Sequence, residues 1–373
     1  RQRQMCIRDR LYVADNEHDE ARFVASQILG LYGKGASWGD NAVLYRMNAQ
    51  SHQIEQAFKR NGIPYKIFGG TGFFDRAEIK DMLAYLCVIA SPDDDLRLGR
   101  IINNPPRGIG AKSVETAAAI AHENNCSLFS VISKADLYPD LSRAAPRMLL
   151  FAGMINELIA QKDELAPDLL YDQLVERTGY LRMLEEKHTV EDDARAQNIK
   201  ELKSSIINYK GETDTPTLEG YLADVALYTD MDNYDDSADC VVMMTMHSAK
   251  GLEFPNVFVV GCEEGIFPGI KAIGEADEME EERRLCYVAI TRAKKKLCIS
   301  CARQRMLFGK TTANRVSRFI DEIPDEHIEK RNIPRGYGYS EKSSAQREYA
   351  QRPSYQTKSR PVSAPVQAAA KSA

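Results

Sequence analysis

No segment of this 373-residue chain approaches the ~18 consecutive apolar residues that a membrane-spanning helix needs, and no secretory leader opens it. Cysteine occurs eight times but without a framework. Cys87, Cys262 and Cys286 fall on apolar strands or helices, which suits reduced thiols and a cytoplasmic location. Cys298 and Cys301 form one Cys-x-x-Cys, inside a strand-like run and with no second pair, so no four-ligand zinc site is indicated. The spacings Gly-x-Gly-x-x-Gly and Gly-x-x-x-x-Gly-Lys-Ser/Thr are absent, and Gly110-Ala-Lys-Ser113 carries alanine where the last glycine of a phosphate cradle stands. Nor is there an excess of positive charge, since the formal net charge is −5. That does not exclude nucleic acid, because binding needs only a local basic face. The charge is uneven: from Lys330 to Ala373, nine Lys and Arg stand against two Glu.

What is present reads as an ordinary globular protein, with 43% hydrophobic and 28% charged residues and length for two or three domains. Arg1 to Arg10 (RQRQMCIRDR) reads as a non-native leader. Residues 11–90 then alternate in βαβ fashion. Leu11–Ala14, Asn41–Arg46 and Tyr65–Phe68 have the pattern of strands, while Glu17–Leu31, Gln53–Arg60 and Arg76–Ala90 have that of helices. Short loops between them predict a parallel, doubly wound sheet. Residues 91–239 lose strand-like alternation and predict an all-helical insert, closed by an acidic linker with Asp230, Asp232, Asp235, Asp236 and Asp239. The βα alternation resumes over residues 240–325, with strands at Val241–Met246, Asn256–Gly261 and Lys295–Ser300 and a helix at Glu280–Ala293. Residues 326–373, rich in Ser, Pro, Gln, Arg and Ala, read as a disordered basic tail. The fold class is therefore α/β, one parallel-sheet domain interrupted by a helical one.

Four segments concentrate chemistry. Thr245-Met-His-Ser-Ala-Lys-Gly-Leu-Glu-Phe254 puts a histidine, a lysine and a glutamate directly after an apolar strand, and Glu280-Glu-Glu-Arg-Arg-Leu-Cys-Tyr-Val-Ala-Ile-Thr-Arg-Ala293 ends a helix on Arg292. Loops at the carboxyl ends of parallel strands bind ligands, and an arginine there suits a phosphoryl group. Tyr45-Arg46 ends a buried strand, where the pair could stack a base and reach a phosphate or be a core tyrosine beside a solvated arginine. Asn103-Asn-Pro-Pro-Arg-Gly-Ile-Gly-Ala-Lys-Ser113 joins two helices. Its Gly108-Ile-Gly110 turn exposes amides at a helix start, with Arg107 and Lys112 nearby, which suits a phosphate or a plain interhelical turn. Phe73 and Phe74, in Gly69-Gly-Thr-Gly-Phe-Phe-Asp-Arg76, read as core residues. His247 has no second ligand at usable spacing, so no metal site is expected.

Together these segments resemble the motifs of superfamily 1 DNA helicases of the UvrD/PcrA/Rep group, over roughly residues 11–325. The resemblance implies the second RecA-like motor domain with its inserted helical domain. In the family the tyrosine matching Tyr45 lies on the adenine, and the arginine matching Arg46 meets the γ-phosphate. Glu253 matches a nucleotide-contacting glutamate, and Arg292 an arginine finger. Thr245, His247 and Lys250 suit the sugar-phosphate backbone of single-stranded DNA, and Arg107, Gly108, Gly110 and Lys112 the backbone of duplex DNA. ATP with Mg²⁺ is the implied cofactor, the metal held mainly by a first motor domain whose motifs this sequence does not contain. The parent protein is then expected to be a 3′–5′ helicase of DNA repair and replication that meets repair proteins and no membrane. The other expectation is a non-catalytic DNA-binding module that uses the Gly108–Gly110 hairpin alone.

Overall fold

The computed structural model describes residues 9–230 and 239–331. Its frame is one parallel sheet of seven strands. The chain enters through β1 (Asp9–Ala14), α1 (Glu17–Tyr32), β2 (Asn41–Tyr45), α2 (Ser51–Arg60) and β3 (Tyr65–Ile67). A helical run follows: α3 (Ala77–Ala90), α4 (Asp95–Ile101), α5 (Ala111–Glu123), α6 (Leu128–Ile132), α7 (Ala145–Gln161), α8 (Pro167–Thr178), α9 (Tyr180–Glu185), α10 (Val190–Glu212) and α11 (Leu218–Asp230). The sheet resumes with β4 (Val241–Thr245), β5 (Phe254–Val259), α12 (Ala276–Thr291) and β6 (Ala293–Ala302). A hairpin of β7 (Arg305–Leu307) and β8 (Lys310–Thr312), a short α13 (Arg318–Asp321) and β9 (Ile328–Arg331) complete it.

Spatial order in the sheet is β3-β4-β2-β5-β6-β1-β9, with every neighbouring pair parallel. Interior strand β2 is buried along its whole length, as a parallel strand covered on both faces must be, which is why Ala42-Val-Leu-Tyr45 reads as an apolar run. One face packs Val24, Ala25 and Ile28 of α1 and Ile54 and Phe58 of α2 against Val43, Met243 and Phe258. The start of α1 is written locally: the Asn16 side chain accepts the Asp19 amide at 2.9 Å, and Glu17, Asp19 and Glu20 in the first turn complement the helix dipole.

The α/β architecture with a helical insertion matches the expectation, but the boundaries shift. Asp9 and Arg10 belong to β1, paired with β6 and β9, so they are part of the sheet and not of a leader; residues 1–8 lie outside the described residues. Helix α3, assigned from sequence to the α/β part, has its buried face in the core of the helical block, with Ile79, Met82, Leu86 and Ile89 packed among Leu98, Met148, Ile199 and Leu202. At the far end Ile328–Arg331 adds strand β9 to the sheet edge beside β1, where a tail was expected from residue 326. The rest of that tail, and Asp232, Asp235 and Asp236 of the acidic linker, lie outside the described residues. Asp239 is described: its carboxylate accepts the Trp38 and Gly39 amides at 2.8 and 2.7 Å and so pins the approach to β4. Phe73 and Phe74 are core residues, against His52.

Candidate nucleotide and nucleic-acid sites

The loop after β2 is stiffened by one side chain. Gln50 Oε1 accepts the amides of both Arg46 and Met47 at 3.0 Å, which fixes the backbone that presents Arg46. The Arg46 guanidinium lies against the Glu282 carboxylate of α12, with Nε 3.0 Å and Nη2 2.8 Å from Oε1. Arg46 keeps 28% side-chain exposure, whereas Glu282 keeps 9%. His247, in the loop after β4, has its pKa lowered, first by desolvation and then by the Arg46 charge, with Glu282 and Glu281 opposing. Arg46, Glu282 and His247 are thus electrostatic neighbours brought together from three elements.

Tyr45 does not join them. Its side chain is fully buried on the face that packs α1 and α2, and its hydroxyl has no hydrogen-bond partner. Burial raises its pKa strongly. No ring face is open to an adenine, so the stacking role inferred for Tyr45 is corrected to a core role. The side-chain alternation of a strand accounts for this: Tyr45 and Val43 share the covered face.

Arg292 and Glu253 stand elsewhere on the sheet. Phe254 pairs with Ala293, so Glu253 and Arg292 flank the amino ends of β5 and β6, not the carboxyl ends as expected for this constellation. The eight residues between Thr245 and Phe254 carry the chain from the carboxyl end of β4 to the amino end of β5. The Arg292 guanidinium donates to the carbonyls of Val288 (2.9 Å) and Leu252 (3.0 Å) and to the Thr291 hydroxyl (3.0 Å), the behaviour of an arginine closing a helix C-terminus. Exposed Glu253 lies 3.7 Å from Lys294.

Thr245 and Ser248 share a hydroxyl contact of 2.9 Å, and the Ser248 amide donates to Thr245 Oγ1 at 3.3 Å, a local turn that orients the loop. His247 and Lys250 are exposed beside it, and Lys250 has no ion-pair partner among the described residues. Thr245 and Ser248, but not His247 or Lys250, line a cleft of about 360 Å³ together with Phe68, Gly69, Arg76 and Arg195.

The Gly108–Gly110 loop lies in the helical block. Gly108 adopts φ +69°, and the Asn103 side chain clamps Ile109, taking its amide at 3.1 Å and donating to its carbonyl. Gly108, Gly110 and Lys112 are exposed, as a backbone-reading loop requires. Arg107 is turned the other way. Its Nη1 donates to the Ile101, Ile102 and Pro105 carbonyls and its Nη2 to the Tyr85 hydroxyl at 2.6 Å, with the Phe151 ring 4.9 Å from the guanidinium carbon. The DNA contact inferred for Arg107 is therefore corrected: its donors are consumed in shaping the loop from beneath. In its place Arg147 of α7 reaches the loop's outer side, donating to the Gly108 carbonyl at 3.2 Å.

A sequence profile described as UvrD-like helicase C-terminal domain matches residues 8–304, most of the chain. The chain belongs to that family. It is 43% identical over 328 residues to an ATP-dependent DNA helicase PcrA of Bacillus subtilis, a match covering 86% of this chain and 44% of the relative. A protein of the same name from Staphylococcus aureus is 44% identical over 322 residues, covering 85% of this chain and 44% of that one. A third, from Staphylococcus epidermidis, is 41% identical over 345 residues, covering 91% and 47%. The chain thus spans about half the length of the curated relatives it matches. Within this UvrD-like domain, Glu282 is the residue that sequence reasoning passed over. Met279, Glu282, Leu285, Cys286 and Ala289 form the buried stripe of α12, and a carboxylate on such a stripe demands a cationic partner.

Proposed function

We propose that this chain is the second motor domain and helical insert of an ATP-dependent 3′–5′ DNA helicase of the UvrD/PcrA type, cytoplasmic and acting in DNA repair and replication. The single observation that carries the reading is the pairing of Phe254 with Ala293, which, within a chain of this family, brings Glu253 and Arg292 from two separate segments to neighbouring strand ends. In that reading Arg292 supplies positive charge to the phosphoryl group of ATP across the cleft to a first motor domain and Glu253 approaches the nucleotide, whereas Arg46, at the opposite strand ends, does not reach the same group. Arg292 then exchanges its present carbonyl partners for phosphate when the cleft closes. In the same reading Mg²⁺ is held mainly by that first motor domain. Thr245, His247 and Lys250 hold the backbone of single-stranded DNA, and Gly108, Gly110 and Lys112 that of the duplex. Such contacts position without reading sequence.

The test uses the protein with its nucleotide-binding half in place. Arg292→Ala should lower DNA-stimulated kcat by on the order of 10³-fold, as loss of an arginine finger does, while DNA affinity is kept. Near-native turnover would mean the nucleotide is not read by Arg292. A non-catalytic DNA-binding module predicts the same null effect on turnover, so the one experiment separates the two readings.

A further inference from the structure

The cleft beside the loop after β4 suits a flat, uncharged guest. It opens at the carboxyl ends of β2, β3 and β4 and encloses about 360 Å³. Its charged lining balances, with Arg76 and Arg195 against Glu78 and Glu191. Both arginines are also engaged, Arg76 with Asn198 Oδ1 at 2.8 Å and Ser51 Oγ at 2.9 Å, and Arg195 with Glu191 at 2.6 Å. A phosphate entering the cleft therefore meets no excess of positive charge. What the cleft does offer is Phe68. Its amide donates to the Met243 carbonyl at 2.8 Å, which ties the end of β3 to β4 two residues before Thr245. Ile67 packs against the sheet core, and strand alternation turns Phe68 away from it, leaving that side chain 47% exposed. Tyr45 lines the same cleft but is fully buried, and Phe73 and Phe74 are closed in the core. Phe68 is thus the lining aromatic with open surface. Gly69 follows at φ +73° and, as glycine, adds no side chain to that rim.

We infer that Phe68 is a stacking platform for an unpaired base of single-stranded DNA, which sits in this cleft. The inference rests on the assignment of Thr245, His247 and Lys250 to the backbone of that strand made above. The chemistry divides along the loop. His247 and Lys250 are exposed outside the cleft, where cationic and imidazole donors suit phosphates, whereas Thr245 and Ser248 line it. Thr245 marks the point where backbone and base part company. A base is neutral, planar and polar at its edge, so it matches an aromatic face beside hydroxyls in a charge-balanced wall. Every base has such a face, and stacking on Phe68 tolerates any sequence, as do contacts to the backbone. One stacked base is worth roughly 10- to 100-fold in affinity.

The experiment compares the affinities of two strands of equal length, oligo-dT and its abasic counterpart, by fluorescence anisotropy, again with the nucleotide-binding half present. The abasic strand keeps every phosphate and loses every base. Phe68→Ala should raise Kd for oligo-dT by ~10-fold and change Kd for the abasic strand by less than about 2-fold. Phe68→Tyr keeps a ring and should bind oligo-dT as the native protein does. Phe68→Leu, apolar but without an aromatic face, should behave as the alanine variant. Equal losses on both strands, or native oligo-dT affinity in Phe68→Ala or Phe68→Leu, overturn the inference. Lys250→Ala reads the underlying assignment separately. It should weaken both strands alike, since both carry phosphates, and native affinity for both overturns that assignment instead. Should the alanine variant fail to fold, the other two decide: native affinity in Phe68→Tyr beside a selective oligo-dT loss in Phe68→Leu supports the inference, and equal behaviour of the two overturns it.

Discussion

Glu201, on α10, is 1% exposed and accepts the Phe308 amide at 2.9 Å and the Ser204 hydroxyl at 3.1 Å. Burial pushes its carboxyl up to about 8, and the two hydrogen bonds only partly offset that rise. An unfolded chain releases this proton near 4.5, so between those values the folded protein holds a proton that the unfolded chain has lost. The sign follows: the contribution is fully favourable below about 4.5 and is lost as pH rises towards 8. At about 1.4 kcal/mol per pH unit, the rise from pH 5 to pH 8 weakens the fold by at most about 4 kcal/mol through this group. Glu201→Gln removes the titration and keeps an acceptor for the Phe308 amide. Urea unfolding of this chain at half-unit steps from pH 5 to 8.5 measures the difference. The native chain should lose stability with pH up to about 4 kcal/mol more than the glutamine variant across that window. Parallel profiles, or a native profile that rises relative to the variant, refute the argument that Glu201 is protonated in the folded chain.

The buried trio of Arg305, Glu20 and Glu263, with both ion pairs at 2.6 Å, answers differently to substitution. Arg305→Met should cost about 3–5 kcal/mol because it strands two buried carboxylates, and the loss measured by urea unfolding should shrink at pH 5, where they can take up protons. Tyr45→Phe should raise the thermal midpoint, by the equivalent of about 1 kcal/mol, because the deleted hydroxyl has no partner to lose. A fall in the midpoint would show that the hydroxyl is satisfied after all.

The sequence exposed those features whose causes are local. Strands β2 and β4 announce themselves because parallel strands buried on both faces read as apolar runs, and the helical block because strand-like alternation disappears after residue 90. A strand of three or four residues carries no period of its own; β3 was legible because Tyr65-Lys-Ile-Phe68 is stopped by Gly69-Gly70. Hairpin β7–β8, with Lys310–Thr312 wholly exposed, and edge strand β9 therefore left no signal. Site residues were legible by type and position but not by direction. Arg46 and Glu282 lie 236 positions apart, and Arg107 is drawn inward by Tyr85, 22 positions away, so neither contact is written near the residue it governs. Tyr45 was misplaced because its neighbour Arg46 is half-exposed, and adjacent strand residues face opposite sides.

Hairpin β7–β8 has a mechanical consequence. The helical block leaves the sheet at the carboxyl end of β3 and returns at the amino end of β4, two neighbouring strands. A body joined to another by two chain crossings keeps one torsional freedom, about the line through both. The hairpin grips α10 with the Phe308 amide on Glu201 and the Gly309 amide on Ser204, the latter at 2.9 Å. It follows β6, which β2 and β5 separate from β4, so this grip springs from a strand about 14 Å across the sheet at ordinary strand spacing. Torque on the helical block is therefore borne by this grip as well as by the Arg60–Glu212 ion pair and the Arg76 contacts to Asn48 and Asn198, and turning the block about its two chain crossings requires both amide contacts to give way.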